Sequence, residues 1–155
     1  MLHVVLFQPE IPHNTGAIGR LCLATGARLH LIHPLGFSLE DKYLKRTGLD
    51  YWQHVDVRQY DDWQTFRASM PAPSAIFFVE CGGKTDYWDA DLTQQDVFLV
   101  FGPETRSIPS SLLENERWLR IPMLEGGTRS LNLATAAAIV MYEAVRQRTL
   151  AGIPS

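Results

Sequence analysis

The chain has 155 residues, 46% of them apolar and 20% charged, a balance that excludes a disordered polymer and fits one domain with a real hydrophobic core. The net charge of −3 counts against a simple nucleic-acid binder, so an RNA or DNA partner requires a local basic patch. No apolar stretch is long enough for a membrane helix, and Cys22 and Cys81, the only cysteines, argue against a disulfide framework or a zinc site.

The opening "MLHVVLF" lacks the basic and long apolar regions of a signal peptide, so the expectation is a cytoplasmic protein whose first element, Leu2–Phe7, is a buried strand. A proline-broken loop, "QPEIPHNTG", follows. The spacing of Ile18, Leu21, Cys22 and Thr25 predicts a helix from about Asn14 or Thr15 to a stop at Gly26. "ARLHLIHP" reads as a second strand ending before Pro34. "SLEDKYLKR" carries a capping-box pattern from Ser38, with Gly48 as its stop. "VDVRQY" alternates like a strand, "DDWQTFRASM" reads as an aspartate-capped helix, and "SAIFFVE" as a buried strand. "CGGKTDYWDADLTQQD" reads as a long polar loop, "VFLVF" as another buried strand and "SIPSSLLENE" as a short helix. "RWLRIP" is a brief strand, "MLEGGTRS" a loop, and the last helix is predicted from about Asn132 to Gln147, with a frayed tail over about 150–155. Strands alternate with helices throughout, which predicts a single α/β domain over 1–155 with a mostly parallel sheet flanked by helices.

In such sheets ligands bind outside the carboxyl ends of the strands. Three strand-end loops mix glycine, proline and polar side chains: "PEIPHNTGAIGR", "FGPETRSIP" and "IPMLEGGTRSLN". The dinucleotide fingerprint, the P-loop, the G-x-S-x-G elbow, H-E-x-x-H and C-x-x-C are all absent, and the five histidines show no ligand spacing. Arg20 admits two readings, an arginine covering apolar surface with its stem or one held at a pocket mouth toward phosphate. Glu104 reads either as a cap on the helix that follows it or as a site carboxylate. Asn14 and Asn132 each read as helix N-caps when taken alone. The cations of "DKYLKR", Lys42, Lys45 and Arg46, and the pair Arg117 and Arg120 read either as solvated faces or as phosphate contacts.

Taken together, "NTGAIGR", "VFLVFGPETRSIP" and "IPMLEGGTRSLNLATAAAIVMYEA" resemble the three ordered motifs of the SPOUT RNA 2′-O-methyltransferases. "PEIPHNTG", "GLDYW" and the short chain without an added RNA-binding domain resemble the subfamily acting on the tRNA wobble nucleotide. The resemblance implies a SPOUT-type α/β fold with a C-terminal trefoil knot, a topology pattern reasoning does not suggest. It implies transfer of a methyl group from S-adenosylmethionine to the ribose 2′-hydroxyl of the wobble cytidine or uridine of tRNA, with leucine isoacceptors expected, and no metal. By motif position it implies a cofactor cradle of Val79, Gly102, Ile121, and Ser130 or Leu131. Arg20 would orient and polarise the hydroxyl, with Asn14, Glu104, Ser130 and Asn132 shaping the same site.

The resemblance also implies a homodimer with the site completed across its interface. Tyr142 reads either as part of that interface or as core. One departure stands out: Ser107 occupies a position where the second motif usually has glycine, and it would strain the turn if the backbone there had positive φ. The competing readings are 2′-O-methylation at another tRNA or ribosomal RNA position, a non-catalytic RNA-binding factor keeping the fold, and a small-molecule nucleotide-binding protein.

Overall fold

The structure is a computed structural model that describes residues 1–40, 42, 44, 49–113 and 117–154. Seven strands form one sheet: β1 (Leu2–Phe7), β2 (Arg28–Ile32), β3 (Val57–Tyr60), β4 (Ala75–Val79), β5 (Thr85–Asp86), β6 (Val97–Phe101) and β7 (Trp118–Arg120). Their order is β3-β2-β1-β6-β4-β7-β5 and every neighbouring pair is parallel. Among the described residues, helices α1 (Pro12–Thr25), α2 (Trp63–Ser69) and α3 (Leu133–Leu150) flank it.

Side chains alternate between the two faces of each strand, and both faces here are covered. On β1, Leu2, Val4 and Leu6 enter a core shared with Ile18 and Cys22 of α1 and Val140, Met141 and Ala144 of α3. Val5 and Phe7 point the other way, into a core with Trp63 and Phe66 of α2 and with Phe98 and Val100. That double burial is why β1, β4 and β6 read as near-continuous apolar runs.

The elements follow the sequence with physically explicable differences. Helix α1 starts earlier than predicted, because Pro12 occupies its first turn, where a missing N–H costs nothing. Asp62 caps α2 as expected, its side chain accepting from the Thr65 N–H. The polar loop after β4 contains β5 and a 3-10 turn, Tyr87–Asp89. Only a 3-10 turn, Ser110–Leu112, forms where a short helix was expected, and 114–116 lie outside the described residues. Helix α3 runs three residues beyond Gln147, and Ile153 N–H donates back to the Arg148 carbonyl. Of the predicted "SLEDKYLKR" helix, 41, 43, 45 and 46 lie outside the described residues, Lys45 and Arg46 among them. Ser38 Oγ accepts from the Glu40 N–H. No helix among the described residues is long and apolar enough to cross a membrane.

A chain of polar groups crosses the α2-side core. His3 Nε2 lies 3.0 Å from Asp96 Oδ1, His3 Nδ1 lies 3.0 Å from His30 Nε2, and His30 Nδ1 lies 2.9 Å from the Tyr60 hydroxyl. One proton arrangement satisfies every link: Tyr60 O–H donates to His30, His30 N–H to His3, and His3 N–H to the Asp96 carboxylate. Both histidines are then neutral; a proton added to His3 would set its Nδ1–H against the His30 N–H, and one added to His30 would displace the bond donated by Tyr60. Burial, followed by repulsion from His3 and nearby arginines, pushes His30 down to about 3, and burial also lowers His3.

Above the ordinary histidine pKa both folded and unfolded chains hold His30 neutral. Below it only the unfolded chain takes the proton, so stability falls as pH drops from about 6.5 toward 3. The loss approaches about 1.4 kcal/mol per pH unit for one such group. Urea unfolding at pH 7, 5.5 and 4 should show this decline, and a His3→Gln/His30→Gln double variant, whose amides do not titrate, should flatten it.

Candidate active site

The parallel strands deliver the loops after β1, β4, β6 and β7 to one end of the sheet, where they enclose a cavity of about 1030 Å³. Its apolar walls include Val79, Phe101, Ile121, Leu131 and Leu133. Gly102, Ser130, Asn14, Glu104 and Asn132 also line it, so eight of the nine residues singled out by motif meet in one place. The ninth, Arg20, does not line it: its side chain is exposed, and its guanidinium carbon sits 4.5 Å from the centroid of the Tyr51 ring.

The polar side of the cavity is a hydrogen-bonded seam between distant parts of the chain. Glu104 Oε1 accepts from Glu10 N–H at 2.8 Å, and Oε2 from Ile11 N–H at 2.7 Å and from Asn14 Nδ2 at 3.2 Å. Asn132 Nδ2 donates to Asn14 Oδ1 at 3.1 Å, while Asn132 Oδ1 caps α3 by accepting from the Ala134 and Thr135 N–H groups. Glu104 thus meets the entrance of α1, not the segment that follows it in sequence. Asn132 is an N-cap and a link in the seam at once. Asn14 is not a cap, since Ile11 holds that position. Its oxygens are committed to three donors, and they tie the loop after β6 to the entrance of α1.

Glu10 answers Glu104 from the other side. Its carboxylate accepts from the Thr105 N–H at 2.8 Å and from the Thr105 hydroxyl, and these bonds hold it below the usual carboxylate range. The preceding turn is bent to allow this: Gln8 has φ 49°, the one described non-glycine residue in the left-handed region. Such a conformation costs about 1–3 kcal/mol and persists where the surroundings enforce it. Ser107 has no such φ, so replacing the usual motif glycine there strains nothing.

Two close approaches fix the loops around the cavity. A Cβ on Gly102 would stand 2.9 Å from Ile108 Cγ1 and 3.0 Å from Glu80 Oε1, so only glycine leaves this wall open. A Cβ on Gly83 would stand 2.5 Å from the Leu119 carbonyl carbon, so the loop after β4 lies directly on β7. Sequence reasoning missed Glu80, which lines the cavity and accepts from the Ile108 N–H at 2.7 Å. Desolvation raises its pKa, partly offset by that bond. Its signal was an acid placed directly after a buried strand. Arg106 was quoted in the second motif but not singled out; it too lines the cavity.

The SpoU rRNA Methylase family model matches residues 1–142. The chain belongs to this family. It is 46% identical over 155 residues to the tRNA (cytidine(34)-2′-O)-methyltransferase of Methylovorus glucosotrophus, covering 98% of this chain and 99% of that protein. The enzyme of the same name from Burkholderia ambifaria is 46% identical over 156 residues, with 98% and 99% covered. A solved structure described as giving "structural insights into the 2-OH methylation of C/U34 on tRNA" superposes with a TM-score of 0.91 at 46% identity, covering 96% of this chain and 97% of that one. The SpoU methyltransferase AviRb from Streptomyces viridochromogenes, solved with AdoMet, superposes with a TM-score of 0.83 at 28% identity, covering 96% of this chain and 58% of that one. Family membership and the parallel α/β fold therefore agree.

The Glu104 seam should carry measurable stability. Glu104→Gln replaces one acceptor oxygen by an N–H group that faces other donors. The expected loss is about 2 kcal/mol, the scale of hydrogen bonds to a charged group, read as a lowered urea midpoint with an unchanged slope.

Proposed function

We propose that the chain transfers a methyl group from S-adenosylmethionine to the ribose 2′-hydroxyl of nucleotide 34, the wobble cytidine or uridine, of tRNA. The observation that carries this reading is the end-to-end likeness to relatives named for that reaction, in a chain whose motif residues gather at one cavity. The cavity fits the cofactor. Its apolar side chains suit the faces of an adenine, its loop backbone offers polar groups, and its size is ample for a ligand of that class. The residues we assign to cofactor binding are Val79, Gly102, Ile121, Ser130 and Leu131.

When bound, the cofactor supplies an electrophilic methyl on a sulfonium sulfur. What this chain contributes is position. Asn14, Glu104 and Asn132 fix the three loops against one another, so the cavity is formed before substrate arrives, and pre-set geometry accounts for much of such an acceleration. Arg20 donates hydrogen bonds to the hydroxyl oxygen and the neighbouring phosphate. Its high pKa keeps it charged, and it acts by orientation and polarisation.

Arg20 is exposed on α1, outside the cavity of its own chain. A homodimer reconciles this with its assigned part: it would reach the cavity of a second copy. The exposed Leu23 of α1 and Tyr142 of α3, on helices that pack together, supply apolar surface for such an interface. A trefoil knot at the C-terminal end belongs to the same reading. Its support is that β7 pairs with both β4 and β5, the loop between them lies on Leu119, and Cys81 Sγ in that loop meets the Arg129 carbonyl. With tRNA as its substrate, the enzyme acts in the cytoplasm.

Labelled S-adenosylmethionine and unmodified bulk tRNA, followed by nuclease digestion and mass spectrometry, should yield a 2′-O-methyl group at nucleotide 34. A methyl group elsewhere in RNA would replace the substrate assignment. Cofactor binding without transfer to any RNA would favour the non-catalytic reading. The second test concerns Arg20. Arg20→Ala and Glu104→Gln chains, each inactive alone, should regain roughly a quarter of wild-type activity when co-expressed, the yield of random pairing in a two-fold dimer. No recovery would mean that Arg20 serves its own chain.

A further inference from the structure

We infer that Arg106 is a binding contact for an RNA phosphate at the cavity mouth, held in place by Gln8 and Glu10. This rests on the reading of the cavity as a tRNA methyl-transfer site and names how the RNA is gripped there.

Three arginines line the cavity: Arg106, Arg120 and Arg129. Arg120 is already engaged, with Nε 2.6 Å from Asp86 Oδ1 on the neighbouring strand. Arg129 is contacted through its carbonyl, by Cys81. Arg106 differs from Arg120. Its Nη2 donates to Gln8 Oε1 at 3.2 Å, its Nε stands 3.9 Å from Glu10 Oε2, and its side chain is 56% exposed. The neutral carbonyl and the more distant carboxylate orient the guanidinium. They occupy few of its five N–H donors and do not neutralise it with a close ion pair.

The holding groups are themselves fixed. Glu10 is bound by Thr105, the residue before Arg106, through both the N–H and the hydroxyl. Gln8 sits at φ 49°, where a non-glycine residue is uncommon. The strained residue is the one whose side chain reaches Arg106. A planar fork, pre-oriented and half exposed beside a cavity, is suited to a phosphate diester. Strain kept at a ligand-facing turn is a recognised mark of function.

The test uses the full chain and unmodified tRNA, with tRNA affinity measured across salt concentrations and S-adenosylmethionine affinity measured by calorimetry. For Arg106→Ala we expect KM for tRNA to rise about tenfold with kcat little changed, the scale of one charge-assisted hydrogen bond. The slope of log affinity against log salt should shrink by about 0.7–0.9, the signature of one lost phosphate contact. Cofactor affinity should not move.

Gln8→Gly keeps the backbone conformation, so the fold should hold or gain thermal stability while tRNA affinity falls. Gln8→Glu would close an ion pair on the guanidinium and set a negative charge beside the phosphate, so tRNA affinity should fall there too. A variant slope equal to wild type overturns the proposal. If cofactor affinity falls with it, Arg106 serves the cofactor carboxylate; if nothing changes, it is a surface residue. A wild-type chain that binds tRNA without salt dependence, or not at all, overturns the functional reading together with the proposal.

Discussion

The carboxylate of Glu104 is where the cavity closes. It lies on the loop after β6, yet its three hydrogen bonds go to residues 10, 11 and 14, and through Asn14 the seam reaches Asn132 at the start of α3. The bonded pairs lie about ninety to one hundred and twenty residues apart in sequence. A buried or half-buried carboxylate left unpaired is costly, whereas one accepting from several N–H groups is strongly favoured. The preference for full pairing therefore selects one arrangement of the three loops, and the cavity is the space they leave.

The sheet makes that seam possible. All strand pairs are parallel, so every strand's carboxyl end faces the same way and β1, β4, β6 and β7 empty their loops onto one edge. Parallel strands demand covering on both faces, and α1 and α3 on one side with α2 on the other supply it. The His3–His30–Tyr60–Asp96 chain lies within the α2-side core, apart from the cavity lining. It satisfies polar groups that β1 and β2 carry inward, and its single proton arrangement ties fold stability to pH without involving the Glu104 seam.

The long apolar strands were legible because burial on both faces leaves an unbroken signature. Helices α1 and α2 were legible from spacing and caps. Strand β5 was not: it has two residues, Thr85 and Asp86, is half buried, and owes its existence to pairing with β7. The gathering of Val79, Gly102, Ile121, Ser130 and Leu131 at one cavity was legible through the motifs, because loops at strand ends converge wherever the sheet is parallel. The position of Arg20 was not, because helical spacing tells which face a residue takes but not what stands opposite that face. Glu80 and Arg106 were hidden for a related reason. Their importance lies in what they touch, Ile108 and Gln8, across the fold rather than along the chain.

A chain of net charge −3 that acts on RNA poses an electrostatic question. A phosphate at the cavity mouth senses charges within about one Debye length, roughly 8 Å at physiological salt, and not the sum over the molecule. Three acids beside the cavity are engaged. Glu104 is paired with backbone amides and Asn14, Glu10 with Thr105, and Asp86 with Arg120. Desolvation disfavours the charged form of Glu80, and the Ile108 N–H faces whatever charge it keeps. The donors that give the loops their shape thus also absorb much of the negative field of these carboxylates. Arg106, whose nearest carboxylate stands 3.9 Å away, keeps more of its charge at the mouth than Arg120, which Asp86 offsets at 2.6 Å. In this fold the bonds that hold Glu10 and Glu104 in place also hold the loop that carries Arg106.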